Sequence, residues 1–235
     1  MKVYIGWDKR ETIAYEVCKY SINNRASSNF DIKPLIQKDM RQKGLYYRDI
    51  DPLSSTEFTF TRFLVPFLMN YKDWALFIDC DIVFLDDIKN LFDITDDKYA
   101  IMCVKHDYEI NNEFKMDGKI QTIYPRKNWS SVMLFNCGHP SNRKLTPQIV
   151  NTESGKYLHR FSWLKDEEIG EISKEWNWLV GVYKEPDDGI PKVLHYTNGG
   201  PYFKDYFNTD YHTVWKDEYK KYTGQEFTIN DVIDK

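Results

Sequence analysis

Residues 74–87 read WALFIDCDIVFLDD, an apolar run punctuated by two carboxylates. Ala75-Leu76-Phe77-Ile78 has the unbroken apolar character of a strand covered on both faces. An uncompensated carboxylate inside such a segment is very costly, so Asp79 and Asp81 belong at its carboxyl end. Residues i and i+2 of an extended chain point to the same side, which lets Asp79 and Asp81 converge on one cation. Hard oxygen ligands suit Mg²⁺ or Mn²⁺. Open α/β sheets bind ligands beyond the carboxyl ends of their strands. The alternative is a turn in which both Asp accept backbone hydrogen bonds.

Working outward, residues 2–7 (KVYIGW) read as a first strand. Asp8 and Glu11 have capping-box spacing, and Ile13, Ala14, Val17, Cys18 and Ile22 form the stripe of an amphipathic helix. A strand, a turn and a helix start make a natural anion or nucleotide pocket. Residues 30–37 read as a second strand and residues 38–55 as a long polar loop. Residues 59–71 carry Phe60, Phe63, Leu64, Phe67 and Leu68 at helical spacing around Pro66, with Arg62 off the stripe and free to face ligand or solvent. A short helix is expected at 88–92, strands at 99–104 and 131–135, and a helical turn at 145–150. Residues 159–181 combine Trp163, Trp176 and Trp178 with Asp166, Glu167 and Glu168. Such a mixture reads either as a sugar-contacting wall or as a charged helix start on an aromatic core. Residues 192–196 read as a last strand ending at His195, followed by the Gly199-Gly200 pair, which lets backbone approach a ligand. Amphipathic pieces at 211–222 and 227–233 close the chain.

Bulk composition narrows the partners. The 235 residues suit one domain, and no repeat or low-complexity linker divides them. A net charge of −4, with Lys and Arg scattered, argues against a nucleic-acid footprint. The amino terminus has no secretion-signal pattern, and no apolar run approaches a membrane span. Cys18, Cys80, Cys103 and Cys137 are widely spaced and read as reduced thiols, hence a cytoplasmic location. With 7 Trp, 17 Tyr and 14 Phe, the chain has flat rings for a large core and for sugar or base contacts.

FTRFLVPFLM (60–69), WALFIDCDIVFLDDIKNLF (74–92), SSVMLFN (130–136) and HYTNGGP (195–201), in this order and spacing, resemble the family 8 glycosyltransferases of GT-A fold. The resemblance implies a single α/β domain with a mostly parallel central sheet and helices on both faces. A Rossmann-like nucleotide-binding half would occupy about residues 1–105 and an acceptor half about 106–235. It implies transfer of a hexose, with retained configuration, from a nucleotide-sugar (UDP-linked by default) to a saccharide or lipid-linked acceptor, as in polysaccharide biosynthesis. A peripheral membrane contact is compatible with that acceptor. Residue by residue, Asp79, Asp81 and His195 match the metal ligands, holding Mn²⁺ or Mg²⁺ against the diphosphate. Ile5, Gly6, Trp7 and Asp8 match the segment that holds base and ribose, with Tyr15 a stacking partner. Arg62 and Cys80 match donor contacts, and Gly199, Gly200 and Lys204 the phosphate end. Asp166 and Glu167 match the place beside the transferred sugar where relatives carry Asp-Gln. Glu167 there is a departure that admits a nucleophilic role, as in retaining glycosidases, or stabilisation of an oxocarbenium-like centre.

Two rival readings differ in chemistry. Asp79-Cys80-Asp81-Ile82-Val83 also fits the first motif of haloacid-dehalogenase-type phosphatases, with Asp187-Asp188-Gly189 a poor second acidic motif. A sugar-binding module would use aromatics and an Asp-bound Ca²⁺ without consuming a donor.

Overall fold

The computed structural model describes residues 1–49, 54–107, 126–184, 186 and 189–234. Among the described residues nine strands run in chain order: β1 (Lys2–Trp7), β2 (Asp31–Ile36), β3 (Trp74–Ile78), β4 (Ile82–Phe84), β5 (Ile101–Cys103), β6 (Val132–Asn136), β7 (Ile169–Glu171), β8 (Trp178–Leu179) and β9 (Val193–His195). Six of them form one sheet in the order β2-β1-β3-β6-β5-β7. β1 is parallel to both β2 and β3, and β5 to β7; β6 alone runs antiparallel, between β3 and β5. β4, β9 and β8 form a second, three-stranded sheet. The helices are α1 (Thr12–Arg25), α2 (Gln37–Gln42), α3 (Val65–Leu68), α4 (Ile88–Asp93), α5 (Pro147–Thr152), α6 (Gly155–His159) and α7 (His212–Thr223). They flank the mostly parallel sheet.

β3 is central because its sequence tolerates nothing else. Ala75, Leu76, Phe77 and Ile78 are all fully buried, between β1 on one side and β6 on the other. Burying each large side chain contributes about 1.5–3 kcal/mol. Asp79 continues the ladder by one bond, its N–H donating to the Ser131 carbonyl at 2.9 Å. The chain then leaves the large sheet and enters the small one as β4, a strand the sequence reading did not separate from the run before it. The doublet therefore sits at the seam between two sheets.

Gly6, near the carboxyl end of β1, is required for packing. A Cβ there would lie 2.5 Å from ring carbons of Phe58, which is only 1% exposed. Gly6→Ala should cost about 1–3 kcal/mol in urea unfolding, and a smaller side chain at Phe58 in the same chain should recover most of it.

α7 is pinned to α1 by a buried carboxylate. Glu218 accepts from Arg25 at 2.7 and 3.0 Å and from Lys221 at 2.8 Å. Among the described residues no helix is long and apolar enough to cross a membrane.

Several elements differ from the sequence expectation. Residues 38–42, expected as loop, and residue 37, expected as the end of the second strand, are helical, with Met40 as the buried anchor. Residues 61–64 are a 3-10 turn before α3, not one continuous helix. Trp163, Trp176 and Trp178 are at most 3% exposed, so they build the core and form no sugar-facing wall. No helix forms at 227–233; Phe227 is buried and Ile233 bridges to Phe203. Residues 50–53 of the expected loop at 38–55 lie outside the described residues, as do Asp187 and Asp188.

Candidate active site

The seam between the two sheets brings the acidic doublet to the late histidine. β4 pairs antiparallel with β9, placing Ile82 opposite His195. The next bond of that ladder runs from the Tyr196 N–H to the Asp81 carbonyl at 2.9 Å. One ligand atom from each of Asp79, Asp81 and His195 then falls within 4.8 Å of the other two. Asp79 and Asp81 retain 16% and 18% side-chain exposure, so the cluster opens to solvent, while His195 is 2% exposed.

The cluster fits a divalent cation on two counts. Two carboxylates and one imidazole are a donor set suited to Mn²⁺ or Mg²⁺. In addition, Asp81 Oδ1 is a buried acceptor without a hydrogen bond. His195 Nε2 lies 3.3 Å from it, close enough to share one cation.

Electrostatics around the doublet are graded. Burial, opposed by Arg62 and reinforced by Asp81, pushes the Asp79 carboxyl up to about 6. Burial also opposes ionisation of Asp81, but His195 beside it outweighs this and holds the carboxyl below its ordinary value. Glu11 lies close by: burial, then the Asp81 charge, push its carboxyl up to about 8. Protonated at neutral pH, Glu11 adds no third negative charge. The Tyr202 hydroxyl donates to its Oε2 at 2.9 Å. Sequence spacing made Glu11 a capping partner for Asp8; the structure gives it to Tyr202 instead. A Cβ on Gly200 would fall 2.2 Å from the Tyr202 ring, so that glycine makes room for the contact.

Of the two directions its off-stripe position allowed, ligand or solvent, Arg62 faces the acidic doublet and not solvent. It is 5% exposed, and Nη1 donates to Asp79 Oδ1 and to the Ser130 carbonyl, both at 2.8 Å. Its guanidinium also lies over the Phe58 and Phe77 rings at 5.2 and 4.9 Å. All four residues of the 3-10 turn, Thr61 through Leu64, are buried.

Other expected site residues are placed as follows. Ile5 is fully buried, Trp7 is half-buried beyond it, and Cys80 is 1% exposed between the two Asp. Asp8 is completely buried and committed: its carboxylate accepts from Arg10 and from the Glu57 N–H. Tyr15 is 4% exposed within the core. Gly199 adopts φ 141°, a conformation that favours glycine, and Lys204 is exposed. Asp166 and Glu167 lie on a short 3-10 turn leading into β7, 84% and 73% exposed; Arg126 pairs with Asp166.

Behind His195 lies a polar network that sequence reading missed. Its Nδ1 contacts Asn177 Oδ1 at 2.8 Å, and Asn177 Nδ2 contacts Ser131 Oγ at 2.8 Å and His106 Nε2 at 2.9 Å. His106 stands behind His195 through this amide. Burial, then the neighbouring His195, push His106 down from 6.5 to about 3, so the folded ring stays neutral. The unfolded chain takes up a proton below pH 6.5 that the folded chain refuses. Stability should therefore fall, by at most about 1.4 kcal/mol per unit, as pH drops from 6.5 toward 3. His106→Gln should flatten that slope in urea unfolding.

Residues 16–202 match the family described as glycosyl transferase family 8. Protein CDI of Arabidopsis thaliana is 52% identical over 228 residues, covering 95% of this chain and 88% of its own. The chain belongs to glycosyl transferase family 8.

Solved structures agree on the fold. GlyE from Streptococcus pneumoniae TIGR4 superposes with TM-score 0.61 at 17% identity, over 93% of this chain. This family 8 chain spans only 59% of GlyE's length. An active-site mutant of LgtC gives TM-score 0.60 at 12% identity, with 97% of both chains covered. The galactosyltransferase LgtC, in complex with donor and acceptor sugar analogs, gives 0.58 at 14%, covering 95% and 96%. The architecture is that of the GT-A glycosyltransferases. Membership in family 8 makes the protein a glycosyltransferase, and the phosphatase and sugar-binding-module readings fall away.

Proposed function

We propose that this glycosyltransferase moves a hexose from a nucleoside diphosphate sugar, UDP-linked, to a saccharide or lipid-linked acceptor, with a divalent cation held by Asp79, Asp81 and His195. The observation that carries the reading is the convergence of these three side chains around the orphaned Asp81 Oδ1. Bound there, Mn²⁺ or Mg²⁺ supplies Lewis-acid stabilisation of the departing diphosphate.

Charge supports the assignment. With His195 neutral, as a ligand must be, and Glu11 neutral, Asp79 and Asp81 carry two negative charges and Arg62 one positive, so the protein offers a dication a site of net −1. The occupied site is then net positive, as binding of a diphosphate requires. The exposed Lys204 and the Gly199-Gly200 backbone are proposed as donors to the leaving phosphate. Residues 5–8 are proposed to border the base and ribose through backbone, since the Asp8 carboxylate is taken by Arg10 and Glu57. Tyr15, packed in the core, supports that segment from behind.

On the sugar side, Glu168 is consumed by Ser141 Oγ and the Lys165 N–H. Asp166, steadied by Arg126, and the exposed Glu167 remain available, and both are proposed to stand beside the transferred sugar. Transfer is proposed to retain anomeric configuration, with Glu167 stabilising the electron-poor anomeric carbon. Residues 1–105 are proposed as the donor half and 106–235 as the acceptor half. Free, buried cysteines at all four positions suit a reducing, cytoplasmic setting.

Screening UDP-, GDP- and other nucleotide-sugars for Mn²⁺-dependent hydrolysis tests the proposal. Slow release of UDP from one UDP-hexose, stopped by chelator, is the expected outcome. Hydrolysis indifferent to chelator would remove the cation from the reading, and a preference for GDP-sugars would correct the nucleotide.

A further inference from the structure

Asn177 ends a 3-10 turn (Lys174–Asn177) that feeds β8, and it is completely buried. One orientation of its amide satisfies every neighbour. Ser131 Oγ donates its only proton to the Asn128 carbonyl at 2.6 Å, an oxygen that can only accept. Toward Asn177, then, Ser131 Oγ must accept, which fixes the NH₂ of the amide on that side. The carbonyl oxygen of the amide therefore faces His195 Nδ1 at 2.8 Å. Because that oxygen only accepts, the neutral His195 ring carries its proton on Nδ1. Nε2 is left as a lone pair directed toward Asp81 Oδ1. The second amide proton goes to His106 Nε2, so His106 Nδ1 donates to the Tyr183 hydroxyl at 2.6 Å.

We propose that Asn177, its orientation locked by Ser131, is the positioning residue that decides which ring nitrogen of His195 is offered to the cation. This inference rests on the reading of Asp79, Asp81 and His195 as a cation site. The direction of the network originates at a backbone carbonyl, which has no proton to exchange. With the amide reversed, a proton on Nε2 would point at Asp81, and a cation would have to displace it before binding. Histidine ligands depend on such outer partners, whose loss typically costs about 10–100-fold in metal affinity.

The first test uses ¹⁵N-labelled, metal-free protein at a pH where His195 is neutral. The expected spectrum has Nδ1 protonated and Nε2 bare. Mn²⁺ alone is then titrated calorimetrically into wild type, Asn177→Leu and Asn177→Asp. Asn177→Leu should bind Mn²⁺ about 10–100-fold more weakly and lose the single tautomer. Asn177→Asp keeps an acceptor at Nδ1 but loses the NH₂ from which Ser131 and His106 accept, so it should restore the tautomer and only part of the affinity. A protonated Nε2 in wild type overturns the proposal, as does Mn²⁺ affinity that is unchanged in Asn177→Leu or equally lost in both variants. Should Asn177→Leu not fold, Ser131→Ala replaces it and must weaken Mn²⁺ binding. Wild type that binds no Mn²⁺ would sink the cation site itself, while the tautomer in the spectrum still decides the role of Asn177.

Discussion

Asp81→Asn should lower Mn²⁺-dependent turnover by about 10²–10³-fold while leaving the far-ultraviolet circular dichroism unchanged. The substitution keeps the size of the side chain and removes its charge. Asp81 Oδ1 has no hydrogen bond, so no network collapses around the replacement. Stability without metal should stay within about 1 kcal/mol of wild type. The stabilisation conferred by Mn²⁺, read as a shift of the thermal midpoint, should largely vanish. Full turnover in this variant, or undiminished stabilisation by Mn²⁺, would separate Asp81 from the chemistry.

Arg62→Met should damage both fold and function. The guanidinium neutralises Asp79 and satisfies the Ser130 carbonyl from a position that is 5% exposed. Its removal leaves a buried carboxylate without its partner, a loss of about 3–5 kcal/mol in urea unfolding. The Asp79 carboxyl, already raised to about 6 with Arg62 in place, would rise further and be protonated at neutral pH. A protonated Asp79 is a poor ligand, so Mn²⁺ affinity should fall in calorimetry and recover in part at higher pH. Arg62→Lys should rescue little, because an ammonium lacks the Nε–H that donates to the Phe58 carbonyl at 3.3 Å and the planar group that lies over the Phe58 and Phe77 rings. Wild-type stability in Arg62→Met would show that the pair contributes nothing to the fold.

The parts of the site legible in sequence were those with a strong local signal. β3 announced itself by a run of apolar residues that had to be covered on both faces, and the doublet by its place at the end of that run. His195 was legible because a strand and a glycine pair flank it. The supporting residues gave no comparable signal. Asn177 and Ser131 lie 46 positions apart, and each is a small polar residue in a segment whose backbone gives no hint of burial. Only the pairing of β4 with β9, across the seam between two sheets, brings this network to the doublet. Arg62, off the apolar stripe, left ligand and solvent both open in sequence; the partners that turn it inward, Asp79, Ser130 and Phe77, lie far along the chain. The α2 segment QKDMRQ was missed because one apolar residue, Met40, is too little for periodicity to register. The Trp-rich stretch was ambiguous for a physical reason: a ring that packs a core and a ring that faces a sugar have the same composition.

Pulsed electron paramagnetic resonance of bound Mn²⁺ is the most direct test of the cation site. The prediction is one Mn²⁺ per chain, coupled to a single imidazole nitrogen, with the coupling abolished in His195→Ala. Binding with no nitrogen coupling, or a coupling that survives His195→Ala, would contradict it.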